Sequence, residues 1–172
     1  MEYFIWLIFN FILYSYIGWL IEVLYCYYKT GSFKKGGFLK SPLKPMYGFA
    51  MTILVSFKRF INPNIFIMMI LGFIIPTSIE YISGYLLKKL FNKTYWDYSD
   101  LKYNISGLIS LVFSFYWIFL CLFGVYYFQP IVEKVYIKFY TCFEILSPIL
   151  LIFIVLDFLL TIKSLTSTRV IE

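Results

Sequence analysis

A chain of 172 residues that is 62% hydrophobic, 24% aromatic and only 14% charged cannot hide its apolar side chains inside a soluble fold of that size, because small domains keep much of their surface in water. Its natural solvent is the lipid bilayer. The net charge of +6 comes from lysines gathered between apolar runs, with no basic stripe on a polar fold and no RNA-binding signature, so no nucleic-acid partner is expected.

The absence of histidine removes His-dependent metal sites and Ser-His-Asp chemistry. Cys26, Cys121 and Cys142 form no CxxC pair. The sequence assigns no catalytic residue and no metal ligand, and it leaves the cofactor unknown.

Crossing a hydrocarbon core takes ~20 apolar residues. Five segments approach that length, at 3–28, 46–57, 65–87, 104–128 and 145–162. The expected fold is an all-α polytopic membrane protein, a bundle of about five transmembrane helices in a single transmembrane domain over 1–172. The first segment, opening "MEYFIWLIFNF", lacks a basic n-region and a small-residue cleavage site. It reads as a retained span and not a signal peptide. The second segment is short and stops at Lys58-Arg59. A tilted, re-entrant or lysine-snorkelled segment all fit it.

The fourth segment begins at Asn104, a residue type suited to a helix start. The stretch "IVEKVYIKFYTCF" at 131–143 fits either a helix lying at the outer interface or an extension of the last span. A faint tandem two-helix repeat runs through the chain. Glu22, a basic loop and Gly48 stand in one half, and Glu80, a basic loop and Gly107 in the other, at spacings of 26 and 27 residues.

Counting Lys and Arg by side places 11 with the first loop, the third-to-fourth loop and the tail, and 4 on the opposite side. The positive-inside rule then puts the N-terminus outside and the C-terminus in the cytoplasm.

Three acids fall within spans: Glu22, Glu80 and Asp157. On this topology each lies six or seven residues from the inner end of its helix, or ~10 Å inside the cytoplasmic boundary at the rise of an α-helix. A buried carboxylate costs several kcal/mol unless it is paired, protonated or hydrated. Each acid should therefore face other helices or a wet cavity.

The helix neighbours of these acids agree. Ser15, Gly18, Glu22 and Tyr25 share one face of the first span. Gly72, Pro76, Glu80 and Gly84 share one face of the third. In the fourth, Gly107, Ser110, Ser114, Trp117, Cys121 and Gly124 form a stripe that lets helices approach closely. Pro76 removes a backbone donor one turn before Glu80. The functional expectation is a polar site for a cation, a proton or a headgroup. The structural alternative is that each acid accepts hydrogen bonds from Tyr, Ser or Trp, or pairs with a loop lysine.

Two loops stand beside the spans. "GGFLKSPLKPMYG" has paired glycines and two prolines before a span, which suits a sharp turn. "WDYS" places Asp97 and Ser99 beside aromatic rings, as expected at a membrane–water boundary. Both loops are candidates to close over the acids. The candidate binding residues are Glu22, Glu80, Asp157, Trp19, Tyr81, Asp97, Asn104 and Tyr47.

The motifs "YIGWLIEVLY", "GGFLKSPLKPMYG", "SIEYISGYLL", "YWDYS" and "YNISG", in this order from about Tyr14 to Trp117, resemble a bacterial membrane family named putative ABC transporter permease, CmpB type. The resemblance implies a bacterial cytoplasmic membrane protein and a transporter-like role. It brings forward Gly18, Trp19 and Glu22; Gly37, Phe38, Pro42, Pro45, Tyr47 and Gly48; and Glu80, Tyr81, Gly84, Trp96, Asp97, Tyr98, Ser99, Asn104 and Gly107. Three positions depart from the family pattern: Gly36 where an arginine is common, Ser41 where a glycine is common, and Lys88 near the place of a second acid.

The chain has no GxxxxGK[ST], so it cannot hydrolyse ATP by the P-loop mechanism. Five spans are few for a permease, so this reading calls for a homo-oligomer and a separate ATP-binding subunit in addition to the lipid bilayer. The alternatives are a non-catalytic membrane assembly partner and a membrane-embedded enzyme acting on a lipid-like substrate.

Overall fold

The computed structural model describes residues 2–33 and 37–169. Lys34 and Lys35 of the basic count, and Gly36, lie outside the described residues. The described residues are mostly helical, with one two-stranded hairpin among them. The elements are α1 (Glu2–Thr30), α2 (Pro45–Phe60), α3 (Ile65–Phe91), β1 (Asn104–Ile105), β2 (Ile109–Ser110), α4 (Leu111–Phe123), a π-helical turn (Gly124–Phe128), α5 (Gln129–Lys138) and α6 (Tyr140–Arg169).

Among the described residues, four helices are long and apolar enough to cross a membrane: Glu2–Thr30, Ile65–Phe91, Leu111–Lys138 and Tyr140–Ser167. At 16 residues, α2 is ~24 Å long, short of a ~30 Å hydrocarbon core. An α-helix satisfies its own backbone, which is why apolar runs of this length form helices in lipid.

The ends of α3 show local chemistry at work. The Asn64 side chain accepts from the Ile67 N–H at 3.0 Å and starts the helix. Asn92 ends it in the left-handed conformation, with its N–H on the Leu87 and Lys88 carbonyls. Lys88 and Lys89 occupy the last turn, where positive charge meets the negative end of the helix dipole.

The chain forms two compact units, Met1–Gly48 with Thr141–Glu172, and Phe49–Tyr140. In the first, loop residues Leu39 and Leu43 form a buried cluster with Ile154 of α6, and Phe11, Ile12 and Phe38 pack against it. Phe38 and Phe158 meet with ring centroids 5.5 Å apart, and Phe9 and Phe143 at 4.4 Å. The start of α2 lies close on α1. A methyl group at Gly48 would run into Ser15 Oγ and the Phe11 carbonyl.

In the second unit α3 and α4 are antiparallel. Gly72 faces Cys121, Thr77 meets Ser114, and Gly84 faces Leu108, so positions rise on one helix as they fall on the other. The small-residue faces read from the sequence are the buried ones: Gly72, Pro76, Glu80 and Gly84 on α3, and Ser114 and Cys121 on α4. At the far end Arg59 pairs with Glu133, and Lys58 stands 4.6 Å from the Tyr126 ring centroid.

Three expectations are corrected. The fourth span does not begin at Asn104, which is therefore not a helix start. The helix opens at Leu111, with Ser110 as its N-cap. Residues 104–110 form the hairpin instead, because Tyr103, Ser106 and Gly107 all have positive φ (57°, 55° and 69°) and cannot continue a right-handed helix. Residues 131–138 prolong the fourth helix through the π-helical turn, and 140–143 already belong to α6. The last helix runs Tyr140–Arg169, longer than 145–162 at both ends.

Candidate functional site

Glu80 is 2% exposed within a run of apolar residues. Its two oxygens are taken by different elements. The Tyr98 hydroxyl donates to Oε1 at 2.9 Å, and the Trp117 indole N–H donates to Oε2 at 3.1 Å. Tyr98 is carried by the loop between α3 and β1, Trp117 by α4. One turn earlier on α3, Thr77 Oγ1 donates to Ser114 Oγ at 3.0 Å. The Ser114 hydroxyl in turn donates to the Ser110 carbonyl at 3.1 Å.

The loop that delivers Tyr98 is folded by its own polar groups. The Trp96 indole N–H donates to the Leu108 carbonyl at 2.8 Å. Tyr98 N–H donates to the Gly107 carbonyl at 2.9 Å, and the Tyr98 ring stacks on Phe113 with centroids 4.8 Å apart. Asn104 Nδ2 donates to the Leu101 carbonyl at 2.7 Å, while its Oδ1 accepts from Gly107 N–H at 3.0 Å.

Asp97 Oδ1 accepts from both the hydroxyl and the N–H of Ser99. These two hydrogen bonds, the side-chain one first, hold the Asp97 carboxyl below the usual aspartate range, and nearby Lys88 adds to the effect. Gly107 is needed here: its φ is +69°, and a Cβ would stand 2.6 Å from Asp97 Oδ1.

In the first unit the segment Ser41-Pro42-Leu43-Lys44 holds both acids. Asp157, 7% exposed on α6, accepts through Oδ2 from Ser41 N–H at 2.8 Å and Ser41 Oγ at 2.6 Å. The Lys40 backbone and charge act on the same carboxylate. Three residues after Ser41, the Lys44 ammonium pairs with Glu22 of α1. The Lys44 N–H meets the Ser15 carbonyl at 2.9 Å. The hydroxyl of Ser41 thus makes one of the two bonds between this residue and Asp157.

The remaining expected site residues fall elsewhere. The Tyr47 ring lies against Gly18 of α1. Trp19 stacks on Tyr16 with centroids 5.8 Å apart, and Tyr81 on Tyr85 at 6.3 Å. Asp97 and Asn104 shape the loop. Sequence reasoning did not single out Ser41, Lys44 and Trp117 as site residues, although it named their residue types as partners, and it brought Tyr98 forward only through the family resemblance. Trp117 carried a signal, since it lies on the small-residue stripe of α4. Among the described residues no group of three or more His, Cys, Asp or Glu side chains could hold a metal ion.

A family model described as putative ABC-transporter type IV matches residues 9–162. The chain belongs to that family. Comparison with curated proteins and comparison with solved structures returned no match. Membership in the ABC-transporter type IV family, with four helices able to span a bilayer, makes this a transporter-like protein of the cell membrane. The family match extends over both acid sites, from α1 to Ile162 of α6.

Proposed function

We propose that the protein is a permease-like membrane subunit that carries polar acidic sites in the cytoplasmic half of the bilayer, with Glu22 and Asp157 in the first unit and Glu80 in the second. The observation that carries this reading is Glu80: a carboxylate buried in an apolar helix, with one oxygen held by a loop residue and the other by the next helix. Intramembrane acids are rare and mark ion, proton or substrate pathways. A carboxylate whose ligands come from a loop can be exposed or covered by movement of that loop.

Trp19 and Tyr47 are further candidate binding residues of the first unit, and Tyr81, Asp97 and Asn104 of the second. The excess of Lys and Arg in the first loop, the third-to-fourth loop and the tail supports an outside N-terminus and a cytoplasmic C-terminus, an arrangement in which the short α2 crosses the bilayer as a fifth span. With no P-loop in the chain, energy comes from a separate ATP-binding subunit, and the small number of spans favours a homo-oligomer.

The test is gentle purification of the tagged protein from native membranes, with its companions identified by mass spectrometry. A stoichiometric ATP-binding subunit is the expected result. Recovery of the chain alone, with no nucleotide-binding companion, would overturn the permease-subunit reading.

One observation favours a second reading, an assembly partner without transport activity. Glu22, Glu80 and Asp157 each have donors within their own unit, which accounts for them as folding anchors. Under that reading Glu80→Gln leaves function intact, while Gly48→Ala and Gly84→Ile, which force the packed elements apart, abolish it.

A further inference from the structure

We propose that the end of the second unit formed by the last turn of α3 and the folded loop 92–110 is a binding surface for anionic phospholipid headgroups. Four lysines, Lys88, Lys89, Lys93 and Lys102, are exposed there. None stands in a salt bridge among the described residues. Lys89 lies 5.4 Å from the Tyr85 ring centroid. The acids in the same stretch are Asp97, bonded by Ser99 and close enough to Lys88 to feel its charge, and Asp100, so four positive charges outweigh two negative ones.

The same loop presents apolar side chains outward. Tyr103 is 78% exposed and Ile105 is 56% exposed, on either side of Asn104 and next to Lys102. This presentation is built in. Tyr103 is held at φ 57°, a conformation unfavourable for a bulky residue, by the Asn104 bonds to Leu101 and Gly107 and by its own carbonyl accepting from Leu111 N–H at 3.1 Å. A folded loop that keeps an aromatic and a branched apolar side chain in the open, with lysines beside them, at the end of a helix apolar enough to span a membrane, has the composition of an interfacial anchor. Lysines at such a place attract anionic lipid headgroups. Tyr103 and Ile105 enter the boundary between headgroups and acyl chains, and the lysines meet the phosphates. This inference does not depend on the transport reading.

The full chain is purified in mild detergent. Added phosphatidylglycerol, phosphatidylcholine and inorganic phosphate are compared by native mass spectrometry of retained lipid and by the thermal midpoint. Wild-type protein should retain phosphatidylglycerol over phosphatidylcholine by at least about fivefold, the contribution of roughly one lysine at an anionic surface. That preference should fall as salt is raised. The K88Q/K89Q/K93Q/K102Q variant should lose it, and the corresponding arginine variant should keep it. Tyr103→Ser should weaken retention of both lipids.

No preference in wild type, or a preference unchanged by salt or by the glutamine variant, would overturn the proposal. Stabilisation by inorganic phosphate equal to that by phosphatidylglycerol would also overturn it, since the ligand would then be free phosphate. Should the glutamine variant fail to fold, the salt dependence in wild type decides.

Discussion

The hydroxyl of Tyr98 reaches Glu80 Oε1 at 2.9 Å, so a loop residue eighteen positions further along the chain closes over an acid in the middle of an apolar helix. Removing that hydroxyl leaves a buried carboxylate oxygen short of a donor, which costs about 1–3 kcal/mol. Tyr98→Phe should lower stability by that amount in a detergent unfolding assay. In the background of Glu80→Gln the cost should shrink, giving a coupling energy of about 0.5–3 kcal/mol in the double-mutant cycle. Purely additive effects would show that the bond does not exist in the membrane protein.

The first unit yields a graded series at one residue. Ser41 gives Asp157 both its N–H and its hydroxyl. Ser41→Ala and Ser41→Gly keep the first bond and lose the second, so each should cost about 1–2 kcal/mol. Asp157→Leu removes the acceptor of both donors and should cost more than either. Hydrogen exchange of the Ser41 amide should rise in Asp157→Leu and change little in Ser41→Ala.

Glu22 differs from those buried acids, because its side chain is 37% exposed, although its partner Lys44 is 12% exposed. Solvent at the carboxylate screens the pair, which holds its contribution to about 1 kcal/mol. Glu22→Gln should therefore be nearly neutral for stability, and the swapped pair E22K/K44E should behave like the single neutral variant or better. A large loss of function in Glu22→Gln with unchanged stability would place Glu22 in the working site, apart from its pairing role.

Asp97 offers a pH test outside the spans. Its folded carboxyl is held below the ordinary aspartate value by the two Ser99 hydrogen bonds. A depressed value in the folded state means that the bonds favour the folded loop above the ordinary aspartate range. That contribution is lost as pH falls through the lower folded value. Ser99→Ala should move the Asp97 titration midpoint upward, read by NMR of labelled aspartate in the full chain.

Gly84 tests how tightly the loop is seated. A Cβ there would stand 3.0 Å from both Leu108 Cδ2 and Trp96 Cζ2, tighter than ordinary packing. Gly84→Ala should be a small perturbation, and Gly84→Ile should displace Trp96 and break its bond to the Leu108 carbonyl. The measurement is tryptophan fluorescence, which should shift toward the solvated spectrum in Gly84→Ile alone.

The helices were legible because lipid leaves a chain few choices. Long apolar runs at α1, α3 and α6, and the small-residue periodicity of α3 and α4, state their faces directly. The start of α4 was not legible, because "YNISG" contains a helix-capping residue type that here caps a turn. The deciding feature is the left-handed backbone at Ser106 and Gly107, which the Asn-x-x-Gly spacing hints at and does not determine. The acids were visible as misplaced charges, and their partner types could be guessed. Which tyrosine, serine or lysine serves each acid depends on how the loops fold back, and the chain has 17 tyrosines to choose from.

The grip of Ser41 on Asp157 spans 116 positions, and this sets an order of assembly. The second unit is a continuous stretch, Phe49–Tyr140, so every residue it needs is present once Tyr140 has left the ribosome. The first unit is split, and Ser41 must wait for α6 before its partner exists. Until then the loop with Leu39 and Leu43 has neither the acid nor Ile154 to settle against. The contiguous half can therefore settle during synthesis, while the split half closes only after α6 has been made.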